Sequence, residues 1–158
     1  MQVLTRLLTI ILLTVGLVGC IDAQVTKGTS ANACLPTDPL WVKPPEDSAV
    51  LDPPGYGYYF VNEEGSIWAS ASWATQKEYD LNTSQEWIKV GWFRPAGVEL
   101  VVSGQRLDGK APPLESEISC CYPTRFQASG LYFPTEGCWE VTARAAESEV
   151  SFIVWVEP

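Results

Sequence analysis

The feature that most constrains the fold is an alternation of apolar and polar side chains at the carboxyl end of the chain. In residues 137–145, Trp139 and Val141 belong to an apolar series that alternates with mostly polar neighbours. A second alternating run occupies residues 149–156, after a short turn at 146–148. A period of two is typical of a β-strand with one buried face. Two such runs across a short turn predict an antiparallel hairpin.

Similar runs occur earlier in the chain, separated by Gly, Pro, Asn and Asp. Together they favour an all-β fold, an antiparallel immunoglobulin-like sandwich of about seven strands. The segment from Trp73 to Trp87 gives no clear signal and is compatible with a strand, a loop or one helical turn. The further predicted strands are residues 56–61 and 66–72 around a turn at 62–65, residues 87–94 and 98–104 around a turn at 95–97, and residues 125–133.

The amino end has the pattern of a secretory signal. Arg6 precedes an apolar run at residues 7–18, which is shorter than the roughly 20 residues that a membrane-spanning helix needs. The run ends in Leu17-Val18-Gly19-Cys20, which resembles the lipobox of bacterial lipoproteins. This resemblance implies that residues 1–19 are a cleaved signal peptide and that Cys20 is lipidated.

A lipidated Cys20 defines the organisation expected of the rest of the chain. Residues 20–33 are small and polar, as expected of a flexible tether, and residues 34–158 would form the sandwich domain. The protein would be exported and attached through its lipid to the outer face of the cell membrane, or to the outer membrane of a cell with two. The membrane is therefore its first expected partner.

Composition excludes several classes of function. The chain has no histidine, which removes Ser-His-Asp and Cys-His catalysis and the imidazole ligands of catalytic zinc and blue-copper sites. Its net charge of −9 disfavours nucleic acid as a partner. With no catalytic motif in view, we expect a non-enzymatic protein without a cofactor or a metal.

Four cysteines remain besides Cys20, namely Cys34, Cys120, Cys121 and Cys138. An even number in an exported domain predicts disulfides, and four cysteines allow three connectivities. A bond between adjacent cysteines would be strained, because their Cα atoms are about 3.8 Å apart and disulfides prefer about 4.4–6.8 Å. The residues alone leave the choice open.

A family resemblance bears on this choice. Residues 133–142 read FPTEGCWEVT, residues 34–36 read CLP and residues 104–109 read GQRLDG. These stretches are similar to a group of uncharacterised exported bacterial proteins with a carboxyl-terminal FPTxGCWEVT motif. The resemblance implies that Cys34 pairs with Cys138 and pins the first strand to the penultimate one. It carries no known activity.

Cys120 and Cys121 would then be left together. One hypothesis is a thiol redox pair or a soft-metal thiol site. The interpretation that we favour is a strained structural disulfide that shapes the loop before Tyr122, because a bare Cys-Cys lacks the spacing of a zinc site or of a thioredoxin-like motif.

Aromatic residues supply the last candidate site. Of the seven tryptophans, Trp139 is expected in the core and Trp155 on the opposite face of its strand. Exposed aromatic platforms stack on sugar rings, and large apolar patches mark interaction sites. We therefore expect a non-catalytic binding or structural module with an envelope protein or glycan as ligand; the alternatives are a carbohydrate-binding module and a thiol redox protein. The residues expected to form a platform are Tyr56, Tyr58, Tyr59, Trp68 and Trp73.

Overall fold

Nine β-strands in two antiparallel sheets make up the part of the chain that the computed structural model describes. The structure describes residues 34–45, 55–74, 81–84, 86–119 and 122–158. The predicted signal peptide, Cys20, the predicted tether and the Cys120-Cys121 pair lie outside these residues. The strands are β1 (Leu40–Val42), β2 (Gly57–Val61), β3 (Trp68–Ser70), β4 (Ile88–Phe93), β5 (Val101–Arg106), β6 (Glu115–Ile118), β7 (Phe126–Tyr132), β8 (Gly137–Ala145) and β9 (Ser148–Val156).

The strand order is that of an immunoglobulin-like sandwich. The larger sheet has the order β1-β2-β3-β4-β7-β6 and the smaller one β5-β8-β9. Immunoglobulin constant-type domains pair strands A-B-E-D in one sheet and C-F-G in the other. Strands β3 to β9 follow these two orders in the same chain sequence, and β1 and β2 extend the larger sheet beyond the position of strand A. The all-β, two-sheet prediction is therefore confirmed, with nine strands against about seven expected.

The carboxyl-terminal hairpin is confirmed almost residue for residue. Strands β8 and β9 pair from Gly137 with Val156 to Ala145 with Ser148. The apolar series Trp139, Val141, Ala143 and Ala145 is buried, as is the facing series on β9. Ala146 adopts a positive φ of 50° in the turn.

Other connections differ from the sequence expectation. Strands β4 and β5, which flank the turn at 95–97, do not pair with each other but lie in different sheets. Strands β1 and β6 were not predicted, because β1 has three residues and β6 (Glu-Ser-Glu-Ile) has no buried face. The uncertain segment after Trp73 begins with a single 3-10 turn at Ser72–Ala74, and residues 75–80 and 85 lie outside the described residues.

Large aromatic side chains fill the space between the sheets. Phe60 of β2 stacks on Phe152 of β9, with ring centroids 4.0 Å apart and planes 9° from parallel. Trp92 and Trp139 are fully buried, and each indole N–H has an acceptor. Trp92 Nε1 donates to Ser129 Oγ at 2.8 Å, and Trp139 Nε1 donates to the Thr135 carbonyl at 3.0 Å. The core thus buries its tryptophans without an unsatisfied donor at either ring.

A disulfide joins Cys34 to Cys138 across 104 residues of sequence, as the family resemblance implied. Cys34 lies outside any strand, however, in an irregular segment that precedes β1, so the bond does not pin the first strand itself. Two hydrogen bonds hold this segment along β9. The Thr37 N–H donates to the Ile153 carbonyl, and the Ile153 N–H donates to the Thr37 side-chain Oγ1, both at 2.9 Å. Among the described residues, no helix is long and apolar enough to cross a membrane.

Candidate ligand-binding surface

Three aromatic side chains gather at the β1 edge of the larger sheet. Strand β1 is the edge strand, and its pairing places Trp41 opposite Tyr58 of β2. Their ring centroids are 4.7 Å apart. The ring of Tyr56 lies 6.3 Å from that of Trp41, with planes 23° from parallel. Trp41, Tyr56 and Tyr58 are called the edge aromatic cluster below.

The edge aromatic cluster is open to solvent. Trp41 is 56% exposed and Tyr56 is 66% exposed, whereas Tyr58 is half-buried and packs against the core. The cluster forms one wall of an open cleft of about 470 Å³, and Ser70 and Ser72 lie on its lining as well. Exposed aromatic rings at a cleft do not contribute to the core. Exposed apolar patches of this kind mark interaction sites.

Three of the five predicted platform residues, Tyr56, Tyr58 and Tyr59, line this cleft. Tyr58 and Tyr59 are neighbours in β2, so their side chains leave the sheet on opposite faces. Tyr59 is buried, and its ring contacts Trp68 and Phe93 at 5.8 and 6.0 Å. Burial raises the pKa of the Tyr59 hydroxyl. Tyr59 therefore contributes to the packing of the sheet more than to an accessible platform.

Trp68 and Trp73 lie away from the edge aromatic cluster. The indole of Trp68 donates to the Gly65 carbonyl at 2.8 Å, which fixes it over the turn between β2 and β3. Trp73 packs 6.3 Å from Phe60 and lines a second cleft, whose lining also includes Trp155. The five residues expected to form one platform are thus divided among three places, and the exposed surface is built around a residue outside that set.

Trp41 is the member of the cluster that sequence reasoning missed. It stands in a three-residue strand, Leu40-Trp41-Val42, that follows Pro39. A run of that length shows no period, and its pairing with β2 is a long-range contact. The weak available signal is the isolated apolar triplet after a proline, which is compatible with an edge strand.

The chemistry available at the edge aromatic cluster is that of binding. Aromatic faces supply apolar contact, and the hydroxyls of Tyr56, Ser70 and Ser72 are polar groups at the same cleft. Among the described residues, no group of three or more His, Cys, Asp or Glu side chains is arranged to hold a metal ion. The surface fits a ligand that combines apolar faces with hydroxyl groups, as a sugar ring does.

The residues that carry the family resemblance meet at another place. Arg106 donates from Nε to Asp108 Oδ1 at 2.7 Å and from Nη1 to Thr135 Oγ1 at 3.2 Å. The Leu107 N–H donates to the Cys138 carbonyl at 2.7 Å. The hydrogen bond from Arg106 is the main cause that lowers the pKa of the Asp108 carboxyl. These contacts join residues 104–109 to residues 133–142 beside the disulfide. Both stretches therefore help to hold the fold together.

The predicted lipidation site and the Cys120-Cys121 pair lie outside the described residues. Comparisons with family models, with curated proteins and with solved structures found no match to this chain.

Proposed function

We propose that this chain is a lipid-anchored, non-catalytic binding module of the bacterial cell envelope, and that it holds a glycan on the edge aromatic cluster. The observation that carries the proposal is the pair of exposed, nearly parallel rings of Trp41 and Tyr56 at a cleft. The attachment to the membrane rests on the lipobox-like Leu17-Val18-Gly19-Cys20.

A glycan fits this surface better than a flat protein epitope does. The two apolar faces of a sugar ring match aromatic rings, and its hydroxyls pair with the polar groups that line the cleft. The cluster also stands at the edge strand β1 of the larger sheet.

The ligand proposal is tested with a pull-down from envelope extract, using the full-length chain and its variants as bait. Trp41→Ala and Tyr56→Ala should each lower glycan capture about tenfold, since aromatic anchors dominate such sites. Trp155→Ala is the matched control, because Trp155 is an exposed tryptophan (43%) on the smaller sheet. Its capture should equal that of the wild type.

Digestion of the extract separates the two kinds of ligand. Capture that survives protease treatment and disappears after glycosidase treatment supports a glycan. Capture that protease abolishes would identify a protein ligand and would reject the glycan part of the proposal. Equal capture by wild type and Trp41→Ala would reject the edge aromatic cluster as the site.

The anchor is tested independently of the ligand. Cells expressing the chain are grown with a labelled fatty acid, and the label should enter the wild type but not Cys20→Ser. The Cys20→Ser chain should also leave the membrane fraction. Label in Cys20→Ser, or its absence from the wild type, would show that the lipobox-like sequence is not used.

A further inference from the structure

A buried arginine stands at the far end of β4, outside the edge aromatic cluster. Arg94 follows Phe93 and is only 2% exposed. Its Nη1 donates to the Pro95 carbonyl at 2.7 Å, and its Nη2 donates to the Tyr122 carbonyl at 3.1 Å and to Gln127 Oε1 at 2.9 Å. All three acceptors are neutral.

The positive charge of Arg94 is not ion-paired with any carboxylate among the described residues. The buried Nε of Arg94 has no hydrogen-bond acceptor there. Burial lowers the pKa of the Arg94 guanidinium. A buried charge is costly unless it is paired, and buried arginines are normally matched by a carboxylate.

Arg94 forms part of the lining of a cavity of about 430 Å³. Its walls combine apolar and polar groups. Val98, Leu100 and Ile118 supply apolar surface, while Gln127 is a buried polar side chain beside the guanidinium. The Gln127 amide N–H₂ donates to the Ser119 carbonyl, which orients its Oε1 toward Arg94. The charge is therefore held in a fixed position at the cavity wall.

We propose that this cavity binds a small organic carboxylate with an apolar body, whose carboxyl group supplies the missing negative charge at Arg94. Guanidinium and carboxylate form the strongest charge-assisted hydrogen bonds in proteins. The volume lies in the range of about 300–1,000 Å³ that small-molecule sites occupy. Exposed Glu99 also belongs to the lining. Its negative charge, like the net charge of −9, acts against any anion in the cavity, and more strongly against a polyanion than against a single carboxylate.

This site is separate from the one in the proposed function. The cavity and the cleft of the edge aromatic cluster share no lining residue. A glycan on Trp41 and a carboxylate at Arg94 are therefore independent, and either can fail while the other holds.

The test uses 2-naphthoate as the probe and 2-naphthamide as its neutral match, titrated into the full-length chain. Binding is followed by calorimetry and by the amide NMR signals of Val98, Ser119 and Gln127, together with the Arg94 Nε–H signal. Naphthoate should shift these signals and bind at least about tenfold more tightly than naphthamide, since a charged partner roughly doubles hydrogen-bond strength. Equal affinity for the two, or shifts confined to other residues, would overturn the proposal.

Two variants locate the interaction. Arg94→Gln removes the charge and should lower naphthoate affinity at least about tenfold, while circular dichroism checks that the sheets remain. Val98→Trp fills the cavity and leaves Arg94 in place. If Arg94→Gln does not fold, loss of naphthoate binding in Val98→Trp still tests whether the ligand occupies this cavity. Undiminished naphthoate binding in Val98→Trp, or in a folded Arg94→Gln, would show that Arg94 only braces the loop at Tyr122.

Discussion

Gly137 lies directly against the side chain of Arg106, so that a Cβ atom at position 137 would come within 2.7 Å of Arg106 Nε. The backbone of Gly137 has a φ of +124°, a region in which glycine is nearly the only residue found. The same Nε of Arg106 donates to Asp108. Gly137 thus makes room for the Arg106–Asp108 pair at the start of β8.

Gly137→Ala is expected to destabilise the fold by about 2–4 kcal/mol, because it combines backbone strain with displacement of the Arg106 side chain. Gly97→Ala is the matched control. Gly97 also has a positive φ, of 70°, but nothing lies within 4 Å of its would-be Cβ, so only about 1 kcal/mol of backbone strain is expected. Denaturant unfolding measures both, and equal losses would show that the contact with Arg106 adds nothing.

The Arg106–Asp108 pair should make stability depend on pH in the acid range. The hydrogen bond lowers the pKa of Asp108 in the folded state below its ordinary value of 3.8. A lowered carboxyl pKa contributes stability that is fully present above the unfolded-state pKa and is lost as pH falls through the folded-state pKa. The free energy of unfolding should therefore fall less between pH 6 and pH 3 in Asp108→Asn than in the wild type. Equal falls would contradict this.

The stacked pair Phe60 and Phe152 joins the two sheets at the centre of the core. Phe152→Ala is expected to cost about 3–5 kcal/mol, since it removes a buried aromatic ring and leaves a cavity. Trp155→Ala, three residues further along β9 on its exposed face, should cost less than about 1 kcal/mol. Thermal unfolding of the two variants compares the stability contributions of the buried and the exposed face of β9. Similar losses would contradict the assignment of Phe152 to the core.

Removal of the Cys34–Cys138 bond should cost about 3–5 kcal/mol, because the bond closes a loop across 104 residues and long loops gain most from closure. The double variant Cys34→Ala, Cys138→Ala avoids leaving a free thiol from this bond. Denaturant unfolding under non-reducing conditions gives the difference from the wild type. A loss below about 1 kcal/mol would show that the hydrogen bonds of Thr37 hold the segment by themselves.

The sequence predicted the hairpin of β8 and β9 well because one face of each long strand is buried, and burial imposes a regular alternation on the residues. It failed at β6, where Glu115 and Glu117 are exposed and the four-residue strand has no alternating apolar series. It also failed to separate β4 from β5, since a turn-like Pro95-Ala96-Gly97 does not reveal that the chain crosses to the other sheet.

The candidate site shows the same limit. Tyr56 and Tyr58 belong to the expected platform because several aromatic residues stand close together in the sequence there. Trp41 was not, because its position beside Tyr58 depends on the pairing of β1 with β2. Arg94 gave no sequence signal at all, as an arginine at the end of a strand is normally exposed.

The stack of Phe60 on Phe152 also has a consequence for the order of events in folding. The inner face of β2 is covered by β9, the last strand of the chain. The inner face of β2 therefore stays uncovered until β9 is in place. The two sheets close through contacts distant in sequence, which makes folding slow.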